Sequence, residues 1–189
     1  SVLRDFVEFP SQLFEHWLLQ PEILKRHALH VETGEPMPDE LIEKILKTKT
    51  FNQGFATVEY LSCALADLDL HQRKHIEDLD LEQFEQELMA KIAMPSAIGL
   101  RHRLPHFLHL FAGSGYASAY YVYLWAEVLD ADGFEAFVEA GDAFDPLLAK
   151  RLHDHVYSAG NRHEPMQAYV AFRGRKPAVE ALLRQRGLQ

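Results

Sequence analysis

The sequence has 189 residues, of which 48% are hydrophobic and 25% are charged, a balance typical of one globular domain. Its 19 lysines and arginines stand against 28 aspartates and glutamates, a formal net charge of −9. Because phosphate groups are bound by clustered cationic side chains, this acidity argues against nucleic acid and membranes as partners.

The single cysteine, Cys63, excludes an internal disulfide and favours a reducing, cytoplasmic location. No apolar run is long enough to span a bilayer, and the opening SVLRDFVEFPSQ lacks the features of a signal peptide. The sequence begins without Met and inside a helical pattern. These features favour a fragment of a longer protein.

The first segment has the period of an amphipathic helix, in which Pro10 predicts a kink. Its apolar face comprises Phe6, Phe9, Leu13 and Trp17. Its opposite, acidic face comprises Asp5, Glu8, Gln12 and Glu15. From spacing alone, the acidic face is an ordinary solvent-exposed one.

Helical periods predict most of the remaining sequence, and no run alternates as a strand would. We therefore expect an all-α fold in a single domain, 1–189. The further predicted helices are 21–31, 38–47, 52–72, 81–93, 116–129, 134–139, 146–158 and 177–186, with a helical turn at 166–172.

The segment HLFAGSGYASAYYVYLW combines a histidine, two glycines around Ser114 and several phenols. Tyrosines at such helical spacing often only pack in a core. A histidine and phenols beside a flexible turn are also suitable donors to an anionic transition state. The residues in question are His109, Gly113, Gly115, Tyr116, Tyr120 and Tyr123.

Two groups of histidines are candidates for a metal site. His71 and His75, in HQRKH, have the i, i+4 spacing of zinc ligands on a helix. Gln72 occupies the place of a general-base Glu, and two cations follow it, so an exposed helix end is the favoured interpretation. Pro105 argues against one continuous helix through His102, His106 and His109.

Four segments together resemble one family, the zinc oligopeptidases of the thimet-oligopeptidase and peptidyl-dipeptidase type. They are RDFVEFPSQLFEHW, FNQGFATVEYL, HLFAGSGYASAYYVYLWAEVLDADGFEAF and AFRGRKPAVEALLRQRGL, spread over nearly the whole sequence. FNQGF and VEYL favour the peptidyl-dipeptidase branch, which removes C-terminal dipeptides.

The resemblance implies a role for each candidate residue. Glu8 would be the third zinc ligand, after two histidines of an HExxH helix, and Asp5 would orient a ligand imidazole. His109, Tyr116 and Tyr123 would act on the substrate and its transition state. Tyr120, Gly113 and Gly115 would belong to the substrate-binding loop.

The sequence contains no HExxH motif. The resemblance therefore implies a C-terminal portion that lacks two zinc ligands, the general base and the N-terminal half of the enzyme. We expect the intact protein to cleave short peptides with zinc, and this chain to be inactive alone with no zinc bound stoichiometrically. Two alternatives remain open: a non-catalytic helical binding or scaffold domain, and an unrelated metal protein using His71 and His75.

Overall fold

A computed structural model describes residues 2–189, and it confirms the all-α prediction. Within that range the helices are joined by turns and loops, without a strand; one isolated bridge pairs Leu29 with Pro36. The helices are α1 (Arg4–Val7), α2 (Phe9–Leu18), α3 (Pro21–His27), α4 (Asp39–Thr48), α5 (Gln53–His71), α6 (Leu81–Lys91), α7 (Leu108–Phe111), α8 (Val122–Ala140), α9 (Pro146–Leu152), α10 (Pro165–Arg173) and α11 (Glu180–Gln185). A 3₁₀ turn (Leu104–His106) precedes α7, and a π-helical turn (His153–Tyr157) follows α9.

The predicted irregularity at Pro10 is a break between α1 and α2 at Glu8. Proline has no N–H to donate, and its ring crowds the carbonyl four residues earlier, which is that of Phe6. Pro10 is instead accommodated in the first turn of α2. The apolar face is buried as expected, with Phe6, Phe9 and Leu13 almost inaccessible to solvent.

The region around α8 differs from the sequence prediction. The helix begins at Val122 rather than near Tyr116, and it continues to Ala140 without the break placed before Phe134. Gly133 lies inside this helix, where the rings of Phe9 and Phe172 approach so closely that a Cβ would be only 3.3 Å from them. This glycine therefore allows close packing and does not end the helix.

The chain forms two compact units. One combines the residues up to Gln53 with Leu124–Gln189, and the other is Gly54–Tyr123. The first unit has an aromatic core in which Phe9, Tyr169 and Phe172 are fully buried. The core of the second unit joins α5 and α6 to the segment before α8. It includes Phe84, Leu104, Phe107 and Tyr120.

A buried carboxylate lies beside the core of the first unit. Asp132 is inaccessible to solvent, accepts a hydrogen bond from the Tyr169 hydroxyl (2.6 Å), and contacts the guanidinium of Arg175 (2.5 Å). The guanidinium of Arg173 lies 3.5 Å from the same carboxylate and donates to the Asp132 carbonyl. Burial raises the pKa of the Tyr169 phenol, and the hydrogen bond and negative charge of Asp132 raise it further. The phenol therefore stays protonated and acts as a donor.

Among the helices of residues 2–189, none is both long and apolar enough to cross a membrane.

Candidate active site

The second unit brings the predicted histidine and tyrosines together. His109, on α7, lies with its ring centroid 6.0 Å from that of Tyr116, 5.5 Å from Tyr120 and 6.2 Å from Tyr123. The rings of Tyr116 and Tyr123 are stacked at 5.5 Å and 14°. The structure thus groups four of the candidate residues, which we call the tyrosine cluster.

The cluster is not the continuous helical stripe that the spacing suggested. Only Tyr123 lies on α8, whereas Tyr116 and Tyr120 lie in the irregular segment 112–121, here called the tyrosine loop. Tyr116 and Tyr123 are partly exposed, and Tyr120 is buried. Burial raises the pKa of Tyr120, so its phenol is neutral at ordinary pH.

Asp67 of α5 explains why α8 does not start earlier. Its buried carboxylate accepts hydrogen bonds from the backbone N–H groups of Ser118 and Tyr120, both at 2.8 Å. Ser118 has a φ of 59°, in the left-handed region, which ends regular helical geometry there. Sequence reasoning missed Asp67 because these partners lie 51 and 53 residues away.

Glu85 of α6 plays a comparable part before α7. Its buried carboxylate accepts from the Leu104 backbone N–H (2.6 Å) and pairs with the Arg103 guanidinium. These contacts hold the 3₁₀ turn that leads into α7, and α7 carries His109. Glu85 was also missed, since a glutamate on an amphipathic helix is usually solvent-exposed.

The conformation of the tyrosine loop does not require glycine at position 113. Gly113 does not have a left-handed φ, and a Cβ on it would meet nothing within 4 Å. Gly113 and Ser114 are exposed, and Gly115 is partly exposed. If glycine is needed at position 113, the need arises in another conformation of the loop.

The candidate metal ligand lies in the first unit. Glu8 occupies the junction of α1 and α2, is partly exposed, and its carbonyl accepts from Gln12 N and the Ser11 hydroxyl, both at 3.0 Å. Asp5, one turn earlier, is exposed and lines a cavity of about 160 Å³ with Leu3 and Trp125.

The described residues do not by themselves form a metal site. Throughout residues 2–189, no group of three or more His, Cys, Asp or Glu side chains could hold a metal ion. α5 ends at His71, so His71 and His75 do not share the helical face that their spacing requires. The His71 ring instead contacts the Asp67 carboxylate at 2.8 Å, and His75 is exposed. The prediction of an exposed helix end is confirmed, since α5 ends at His71 and residues 71–75 are all exposed.

Comparison with known proteins gives consistent matches over the whole chain. The model of peptidase family M3 matches residues 1–188. Dipeptidyl carboxypeptidase of Salmonella typhimurium is 39% identical over 188 residues, which are 98% of this chain and 27% of that protein. Oligopeptidase A of Haemophilus influenzae is also 39% identical, over 97% of this chain and 27% of its own length. Saccharolysin of Saccharomyces cerevisiae is 34% identical over 100% of this chain and 26% of its own length.

The chain therefore spans about a quarter of the length of these relatives. The match covers α1 to α11, including Glu8 and the tyrosine cluster. This chain belongs to peptidase family M3.

Proposed function

We propose that this chain is the C-terminal part of a zinc-dependent peptidase that hydrolyses short peptides, releasing dipeptides from their C-termini. The observation that carries the proposal is the tyrosine cluster, in which His109 lies beside two partly exposed phenols. The names of two relatives, a dipeptidyl carboxypeptidase and an oligopeptidase, support the substrate class. The FNQGF and VEYL segments support the peptidyl-dipeptidase branch.

The phenols have a chemical task in such a reaction. Addition of water to a peptide carbonyl gives a tetrahedral intermediate whose oxygen is negatively charged, and neutral O–H donors stabilise it. In the proposal, Tyr123 and Tyr116 donate to this oxygen, and His109 binds the substrate beside them. Tyr120, Gly113 and Gly115 shape the loop against which the peptide lies, and movement at the glycines brings Tyr116 to the bound peptide.

Zinc belongs to the full-length protein in this proposal. It would activate the attacking water, with Glu8 as one ligand and Asp5 as the group that orients a histidine ligand. The other ligands would come from an HExxH helix that precedes this chain, and the N-terminal half of the enzyme is the partner that the proposal requires. An exposed apolar row on α5 supports a larger assembly, since such surfaces are usually covered. The row consists of Phe55, Val58, Leu61 and Leu65. The lone cysteine supports a cytoplasmic location.

The chain alone is expected to bind no stoichiometric zinc and to hydrolyse no peptides. A single carboxylate is a weak zinc site, because firm binding needs three or four ligands in a fixed geometry. Metal analysis of the purified, dialysed chain and a peptidase assay check this. About one zinc per chain, removed by a chelator together with activity, would contradict it.

The proposed function is tested on the full-length protein that contains this chain. Mass spectrometry of short peptides after incubation should show successive release of C-terminal dipeptides. Glu8→Gln should lower both zinc content and turnover, since a neutral amide is a poorer zinc ligand than a carboxylate. The matched control is Glu15→Gln, an exposed position on the neighbouring helix α2. Equal zinc in wild type and Glu8→Gln would refute the ligand role, and internal cleavage alone would refute the assignment to the peptidyl-dipeptidase branch.

A further inference from the structure

We infer that Asp67 is a positioning residue that fixes the α8 end of the tyrosine loop, so that loop movement is confined to residues 112–117. The inference rests on the proposed function for its catalytic meaning. Its structural content stands on the second unit alone, which contains every residue in the argument. In this inference the phenol of Tyr116 moves with the loop, whereas the phenol of Tyr123 stays in place.

The first support is the bonding of Asp67. The side chain is inaccessible to solvent, and each of its oxygens accepts one backbone N–H of the loop, from Ser118 and from Tyr120. His71 approaches the carboxylate from the end of the same helix, with Nδ1 at 2.8 Å from Oδ1. Hydrogen bonds to an ionised group are about twice as strong as neutral ones, and burial removes the competition of water.

The second support is the backbone at Ser118. A non-glycine residue with φ near 59° is unfavourable for an L-amino acid and persists where its surroundings fix it. Asp67 accepts one hydrogen bond from the N–H of Ser118 itself and a second from the N–H of Tyr120, two residues later. The carboxylate therefore holds the left-handed turn in place.

The third support is a second attachment from the same helix. Tyr60 of α5 stacks on the ring of Tyr120 at 5.2 Å and donates its hydroxyl to the Tyr120 carbonyl. Phe107 packs edge-on against that ring at 4.7 Å. Tyr120 is thus held at its amide, its carbonyl and its side chain.

The other half of the loop is different in character. Gly113 and Ser114 are exposed, and the space around the Gly113 Cα is open. Motion in this half would carry Tyr116, which precedes the Asp67 bonds. Tyr123, in the first turn of α8, follows them and would stay in position. Tyr116 is stacked on Tyr123 in this structure, so its motion toward a bound peptide would separate the two rings. Substrate binding would then complete the donor set by bringing the Tyr116 hydroxyl to a peptide already in contact with Tyr123.

Amide exchange of the 189-residue chain tests the anchor by NMR. Asp67→Asn replaces one acceptor oxygen by a donor amide, so exchange at Ser118 and Tyr120 should become at least about tenfold faster. The matched control is Asp69→Asn, which removes an α5 carboxylate that pairs with Lys91 of α6 and not with the loop. Its exchange rates at Ser118 and Tyr120 should stay within about twofold of wild type.

Two results would overturn the anchor: unchanged exchange at Ser118 and Tyr120, or an equal acceleration throughout α5 and α6, which would mean general destabilisation. If Asp67→Asn does not fold, the wild-type chain decides: the Ser118 and Tyr120 amides, bonded to Asp67, should exchange at least about tenfold more slowly than the exposed amides of Gly113 and Ser114. Equal exchange rates in the two halves of the loop overturn the anchor.

A kinetic experiment on the full-length protein tests the catalytic meaning. Asp67→Asn should lower kcat at least about tenfold with KM within about twofold, because the phenols are misplaced in the transition state while peptide binding is largely kept. Asp69→Asn should have wild-type kinetics. Unchanged kcat in Asp67→Asn overturns the positioning role. A wild-type protein without peptidase activity would contradict the proposed function instead, and the exchange experiment would still decide the anchor.

Discussion

Tyr123→Phe in the full-length protein is expected to lower kcat by about 10²–10³-fold, the usual cost of removing one donor to an oxyanion. The ring is stacked on Tyr116 and partly exposed, so phenylalanine preserves the packing and only the hydroxyl is lost. The donor acts mainly on the charge that develops in the transition state. KM should therefore change little, while kcat and kcat/KM fall together. Steady-state kinetics with a short peptide, together with a thermal melt, measure both quantities.

Tyr121→Phe is the matched control for that result. Tyr121 lies two residues earlier, is 43% exposed, and should tolerate loss of its hydroxyl with normal kinetics. If Tyr123 were only a packing residue, Tyr123→Phe would retain full kcat with at most a lower melting temperature. That outcome would transfer the donor role to Tyr116, and Tyr116→Phe would be the next variant to measure.

Asp132→Ala should be strongly destabilising, at about 3 kcal/mol in the free energy of unfolding. The substitution removes the carboxylate that the buried Tyr169 hydroxyl and the nearly buried Arg173 side chain share, and leaves Tyr169 with the Leu129 carbonyl and Arg173 with Glu139. Arg175 is 44% exposed and can turn to water, which places the cost at the low end of the range for buried ion pairs. Urea unfolding of the chain measures the difference.

Two further variants give that measurement its meaning. Asp154→Ala removes an exposed carboxylate that pairs with Lys150 and should leave the unfolding midpoint nearly unchanged. Tyr169→Phe removes a single hydroxyl from the Asp132 network and should cost less than Asp132→Ala. A midpoint for Asp132→Ala equal to that of wild type would show that the network contributes no net stability.

The sequence was sufficient for the helical class and for the buried face of α1 and α2, because a period of three and four residues is a local property. It was insufficient at the tyrosine loop. The spacing of Tyr116, Tyr120 and Tyr123 favours a helix, but Asp67 competes for the backbone N–H groups that a helix would use. Such a long-range bond leaves no periodic signal in the sequence around the loop.

The candidate site shows the same limit in another form. Composition and spacing make Glu8 one more acidic residue on a solvent-exposed face, and only family resemblance assigns it a ligand role. The Asp67–His71 pair does leave a local signal, since four residues separate the two on a helix. His71 is also four residues from His75, and that spacing is equally compatible with a pair of metal ligands, so the sequence alone does not show that Asp67 is the partner of His71.

The close packing around Gly133 determines how substitutions at this position should affect the amount of protein in the cell. A Cβ at Gly133 would lie 3.3 Å from the rings of Phe9 and Phe172, so those rings must shift by a few tenths of an ångström, and side chains larger than alanine should lower the abundance of the protein through degradation, whatever the assay for activity. Gly113 has open space around it, and its variants should accumulate normally. A mutational scan that records both abundance and peptide turnover would thus place these two glycines in opposite classes, one limited by folding and the other by motion.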